Sequence, residues 1–161
     1  MRITQWGEYG VLFSAYIARC AANGAKMVGA AEIASAQGVD LQYAQQILQR
    51  LRRGGIIDSV RGPAGGYHLC RNANELTLLD ILVAAEGDTF EVICDTKPIG
   101  AERCMPGNEC GLRTIWFDLR DHVNSFLMRY TLEDLAKLPN GTFCGAQEHD
   151  DAPIKIGGRS L

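Results

Sequence analysis

No stretch of about eighteen apolar residues occurs in the chain, which excludes a membrane-spanning helix. The opening residues, MRITQWGEYG, carry Trp6 and Glu8 where a secretory leader would be hydrophobic, so a cytoplasmic location is expected. Also missing is any Cys-x2-Cys pair, the spacing of a structural zinc site or of a disulfide oxidoreductase dithiol at a helix start. None of the three histidines is visibly paired with a cysteine, as a thiol enzyme would need, so an enzyme is not expected. The six cysteines that remain are expected to be free thiols or metal ligands rather than a disulfide framework. At 161 residues and 47% hydrophobic, the chain can bury a real core, most simply one compact domain with an appended element.

The net charge of −3 hides an asymmetry. Residues 1–71 hold eight Lys/Arg against four acids, and residues 72–161 hold eight against fifteen. A basic first half points to a polyanionic partner, and an acidic second half to a different task.

In the first half, Thr4 can cap a helix that Asn23-Gly24 stops, with an apolar stripe of Leu12, Ala15, Tyr16 and Cys20. In "AAEIASAQGVDLQYAQQILQRLRRGG", small and apolar residues flank a Gln37-Gly38-Val39 turn, the pattern of a helix-turn-helix. Asp40 is a suitable cap for its second helix. Helical spacing turns Leu41, Ala44, Ile47 or Leu48, and Leu51 inward. Gln42, Gln45, Gln46, Gln49, Arg50 and Arg53 turn outward, with Tyr43 beside them, and a glutamine-arginine face suits adenine and guanine in a major groove. "IIDSVRGPAGGYHL" then reads as two short strands around a tight turn, a wing with Arg61 at its tip, suited to a minor groove. A solvated helix face and an ordinary hairpin are the plain alternatives. The combination favours binding to double-stranded DNA.

The second half opens with a short helix in "NELTLLDILVAAEG", capped by Asn74 or Thr77. The segment "CDTKPIGAERCMPGNEC" follows, spaced Cys94-x9-Cys104-x5-Cys110. Its prolines and glycines make it a loop, and thiolates on a loop able to fold around an ion suit a soft metal or a cluster. Three thiols leave a fourth donor to be found, and Cys20, His68, Cys70, His122 and Cys144 are other groups that could supply it. Beyond Cys110, Leu112, Ile115/Trp116, Leu119, Val123, Phe126/Leu127 and Tyr130 recur at helical spacing, a broad apolar face expected to pair two copies of the chain. Thr131 caps a last short helix. A homodimer would suit a palindromic operator.

To about residue 138 the sequence resembles the Rrf family of bacterial winged helix-turn-helix regulators, which includes IscR-, NsrR- and RirA-like proteins. "MRIT" with "EYG", "SVRGPAGGYHL", the three-cysteine loop, and "W-x-DL" through "YTLEDL" carry the resemblance. It implies an iron–sulfur cluster, 4Fe-4S or 2Fe-2S, held by Cys94, Cys104 and Cys110. The histidine ligand of IscR-like members falls here on Arg113, which cannot ligate; the carboxylate that NsrR-like members take from the partner's first helix falls on Glu8. The Cys94–Cys104 gap is also longer than in either group.

The expected organisation is mainly α with a small β-wing. Residues 1–72 form the winged helix-turn-helix domain, 73–93 a connecting helix, 94–113 the cluster loop, 114–138 a long dimerisation helix with a short terminal one, and 139–161 a flexible tail. The expected function is a cluster-sensing transcriptional regulator acting as a repressor, its operator affinity set by iron, redox or nitric oxide. A winged-helix regulator switched by thiol oxidation or zinc is the alternative.

Overall fold

The structure is a computed structural model that describes residues 3–87 and 110–138. Helix α1 (Gln5–Ala22) starts where the Thr4 side chain accepts from the Trp6 amide and ends at Asn23. It is the central element, touching α2 (Ala30–Ala36), α3 (Leu41–Arg53), the strand β2 (Gly66–Leu69), α4 (Leu78–Glu86) and the short α6 (Leu132–Ala136). Neighbours on so many sides bury Val11, Leu12, Phe13, Ala15, Ile17 and Ala18, a wider surface than the single expected stripe. Tyr16 and Cys20 are half-buried at its margin.

The helix-turn-helix forms as the pattern requires. Ile33 and Ala34 are buried, the turn passes through Gly38 at φ 65°, and Asp40 accepts from the amides of Gln42 and Tyr43 at 2.8 and 3.2 Å. Ala44, Ile47, Leu48 and Leu51 are all buried under α3. Leu41 departs from the expected inward set: it is 41% exposed, while Tyr43 and Ala44 of the same turn pack inward.

Strand β1 (Ile57–Val60) pairs antiparallel with β2 in the register Ile57↔Leu69 to Val60↔Gly66. Ile56, expected inside the strand, lies just before it and is buried. Val28, between α1 and α2, exchanges two backbone hydrogen bonds with Tyr67 and ties the wing to the body.

Helix α4 is capped by Thr77, not Asn74, through a reciprocal capping box with Asp80. Thr131 and Asp134 repeat that device at α6, and the two caps are bridged through the backbone of Thr77 and Thr131. The long helix α5 (Gly111–Met128) starts earlier than the expected residue 114, so Cys110 is its N-cap residue. Cys94, Cys104, Cys144 and the expected tail lie outside the described residues.

Helices α1 and α4 approach closely because α1 carries glycines on the shared face. A Cβ on Gly10 would stand 2.8 Å from that of Ala85, and one on Gly7 would collide with the Glu86 carboxylate. Glycine costs a helix about 1 kcal/mol relative to alanine, so two of them on one face reflect a packing demand that outweighs propensity. Gly10→Leu is expected to lower stability by about 3 kcal/mol, read from urea denaturation of the full chain; an unchanged midpoint would show that α1 and α4 can separate freely.

Candidate nucleic-acid interface and cluster ligands

On α3, Gln42, Gln45, Gln46 and Gln49 share an exposed face that forms one wall of a groove of about 410 Å³. Arg52 and Tyr67 complete it, the latter from β2. The Arg52 guanidinium donates to the Ser59 hydroxyl at 3.1 Å, which holds it against the wing. Arg61 is exposed at the turn between the strands. A row of amide side chains, Arg52 and the Tyr67 edge of the wing therefore line one groove. Such a surface can pair with base edges and meet phosphates at its margins.

Arg50 and Arg53 do not line this groove. They turn toward α4, lining a second groove of about 600 Å³ with Arg71, Leu79 and Val83. Arg50 is exposed, yet its guanidinium is engaged by the protein: Nη1 donates to the Ala85 carbonyl at 2.9 Å, and Cζ lies 4.2 Å over the Trp6 ring. The wing flanks α3 on one side and α4 on the other, so Arg52 falls toward the groove and Arg50 and Arg53 away from it. Periodicity turns Arg50 and Arg53 outward and cannot say which neighbour each one meets. Arg52 and Tyr67, which the sequence reading leaves out, line the glutamine groove because of where the wing lies against α3, a tertiary fact.

Tyr43 is also turned inward. It packs against Trp6 and Tyr9 with ring centroids 5.4 and 5.7 Å away. Burial, with smaller contributions from Tyr9 and the Glu8 carboxylate, holds its phenol above the usual value. Glu8 thus lies within electrostatic reach of the first turn of α3. It is exposed in the first turn of α1, and its carboxylate has no hydrogen bond or ion pair with a described residue.

Of the loop thiols, Cys110 is described: free, exposed, and with no side-chain capping bond at the start of α5. No group of three His, Cys, Asp or Glu side chains converges among the described residues. Both described donors nonetheless suit a cluster, one a free thiol and the other an unengaged carboxylate.

The rival donors are placed as follows. Cys20 packs half-buried against the core. Desolvation, then the Asp58 carboxylate, raises the Cys70 thiol, so it is not an activated thiolate. His68 has its Nδ1 buried without a hydrogen-bond partner among the described residues. His122 directs Nδ1 to the Asp118 carbonyl at 2.7 Å within α5. Arg113 stacks over Phe117, 5.3 Å from the ring centre.

Helix α5 leaves much of its apolar face open, with Leu112 56% and Ile115 59% exposed and Leu127 alone of its residues fully buried. No helix of the described residues is long and apolar enough to cross a membrane.

Residues 3–138 match the family model described as Rrf2, iron-dependent transcriptional regulator. The regulator IscR of Pectobacterium atrosepticum is 38% identical over 135 residues, which are 84% of this chain and 79% of that protein. IscR of Yersinia pestis is 33% identical over 159 residues, 99% of this chain and 93% of its own length. Among solved structures, CymR, the global cysteine regulator of B. subtilis, superposes with a TM-score of 0.66 at 29% identity, covering 84% of this chain and 96% of that one. IscR of T. potens gives 0.64 at 26% identity, covering 85% and 87%. Taken with the helix-turn-helix and its wing, these matches establish that the chain belongs to the Rrf2 family of iron-dependent transcriptional regulators.

Proposed function

We propose that this transcriptional regulator is a homodimer that reads a palindromic operator and is switched by an iron–sulfur cluster held on Cys94, Cys104, Cys110 and the Glu8 carboxylate of the partner subunit. The observation that carries the reading is Cys110, an exposed free thiol on the residue that caps α5, closing a three-cysteine segment in a member of an iron-dependent family. Support for Glu8 comes from its unengaged carboxylate and from Arg113, which offers no ligand and stacks on Phe117 instead. When bound, the cluster would supply a redox-active and ligand-labile centre of 4Fe-4S or 2Fe-2S type, and a carboxylate corner is the weaker one for cluster iron. The protein acts as a repressor in this reading.

The exposed face of α5 supports the dimer. Leu112, Ile115, Trp116, Leu119 and Phe126 present more apolar surface than a monomer ordinarily leaves open. A two-fold pairing along α5 would set two recognition helices at a fixed spacing, as a palindromic operator requires.

For the DNA contacts, Gln42, Gln45, Gln46 and Gln49 are assigned to base edges and Arg52 and Arg61 to the margins of the site. Arg50, Arg53 and Tyr43 are left out of the contact set because they turn toward α4 and α1. Each two-pronged base contact discriminates by about 1–3 kcal/mol.

Arg52→Ala and Arg61→Ala should each weaken operator binding and, for a phosphate contact, reduce the slope of log affinity against log salt by about one. Unchanged affinity and slope for either would remove it from the interface. Cys104→Ala should abolish the cluster while leaving a folded dimer, measured by iron and sulfide content beside gel filtration. Glu8→Ala should leave a less stable cluster; the same result from Cys144→Ala, with Glu8→Ala silent, would make Cys144 the fourth donor. The primary test is an anaerobic preparation with its visible spectrum and its iron and acid-labile sulfide per chain. A brown protein containing both is expected. A colourless one that resists reconstitution would leave a winged-helix regulator switched by zinc or bare thiols.

A further inference from the structure

The last turn of α4 is gripped from two sides by groups of opposite charge. The Glu86 carboxylate accepts from the Thr4 amide at 2.6 Å and from the Gly7 amide at 3.0 Å, satisfying donors that the start of α1 leaves open. One residue earlier, the Ala85 carbonyl accepts from Arg50 Nη1 at 2.9 Å, so a cation from α3 meets the negative end of α4. The same guanidinium lies 4.2 Å over the Trp6 ring of α1, and Trp6 packs in turn on Tyr43, in the first turn of α3. Arg50 therefore joins three helices at one point, two residues before Gly87 and the segment that carries Cys94 and Cys104.

We propose that Arg50 is the positioning residue through which cluster occupancy sets the attitude of the recognition helix, and that it does not contact DNA. The inference rests on the cluster-switched reading above. Candidate anchors of both clusters in the dimer flank this junction: Glu8, which would serve the partner's cluster, and the cysteine segment, which would hold this chain's own. Glu8 follows Trp6 by two residues on α1, and the cysteine segment follows Ala85 along the chain. Glu86 binds the end of α4 to the start of α1, so those two elements move as a unit. Gly54, at the end of α3, meets Ala84 with no room for a Cβ, which supplies a fulcrum between α3 and α4. Arg50 spans from α3 to the moving unit. Its plane must keep the Trp6 ring below and the Ala85 carbonyl at its edge, so small slides break one contact or the other. A lysine, a point charge without a plane, can hold the carbonyl but not the stack.

The test uses the full-length protein as wild type, Arg50→Lys, Arg50→Met and Trp6→Phe. Each is prepared anaerobically, reconstituted with ferrous iron and sulfide or stripped by chelation. Affinity is measured for a duplex that the wild type selects from a random-sequence pool. Wild type should show two affinities differing by about 5–150-fold between the forms. In Arg50→Lys and Arg50→Met that ratio should fall toward one, with iron and sulfide content unchanged and the salt slope unaltered. Trp6→Phe, which narrows the stacking surface without removing the guanidinium, should give an intermediate ratio and serves if the Arg50 variants fail to fold. Retention of the full ratio in the folded variants would overturn the proposal. Equal weakening of both forms with the slope reduced by about one would overturn it too, by making Arg50 a phosphate contact. If wild type takes up no iron and sulfide, or binds the duplex equally in both forms, the cluster-switched reading fails first and this inference falls with it.

Discussion

The end of α4 is where the winged helix-turn-helix is joined to the rest of the chain. The Glu86 carboxylate on the Thr4 and Gly7 amides and the Arg50 guanidinium on the Ala85 carbonyl are complementary: an anion at the positive end of α1 and a cation at the negative end of α4. Each satisfies backbone groups that a helix end cannot satisfy alone. The arrangement depends on Gly7 and Gly10, because any side chain on that face would push α1 off α4 and carry Glu86 out of reach. Trp6 and Tyr9 also pack directly on Tyr43, so the first turn of α1, with Glu8, is placed against both α3 and α4.

The recognition surface follows from what flanks α3. The wing stands on one side, tied to the body by Val28 and Tyr67 and to α3 by Arg52 and Ser59. On the other side α4 takes up Arg50 and leaves Arg53 beside Arg71. Four glutamines remain between these flanks, free of the core and aligned. One helix thus divides its polar residues among three tasks. Its glutamines make the open face, Arg52 braces the wing, and Arg50 holds the body together.

Much of this was legible beforehand. Thr4, Asp40 and Thr131 mark helix starts because a side-chain oxygen two or three residues ahead of a free amide is a local device needing no tertiary partner. The turn at Gly38 and the paired wing strands are local in the same sense. Leu41 departs from the periodicity, being 41% exposed, whereas Arg50 is exposed as its position on the helix expects. A period of 3.6 gives an angle around α3, but exposure also depends on where along the helix a neighbour begins and ends. Of the proposed cluster ligands, Cys110 and Glu8 can be placed, and Cys94 and Cys104 lie outside the described residues.

By itself the sequence determined the elements, their caps, the helix-turn-helix, the wing, the apolar face of α5 and the family signature of three loop cysteines. These are short-range properties, written as spacing, capping residues and turn residues within a few positions of one another. Only the tertiary structure decided which groove each arginine of α3 lines, that Tyr43 belongs with Trp6 and Tyr9, and that α4 ends in a clasp on α1 and α3. Arg50 and Ala85 are 35 positions apart, and Thr4 and Glu86 are 82. Contacts over such separations leave no periodic trace in a single chain, because they arise from how whole helices pack rather than from how any one of them forms.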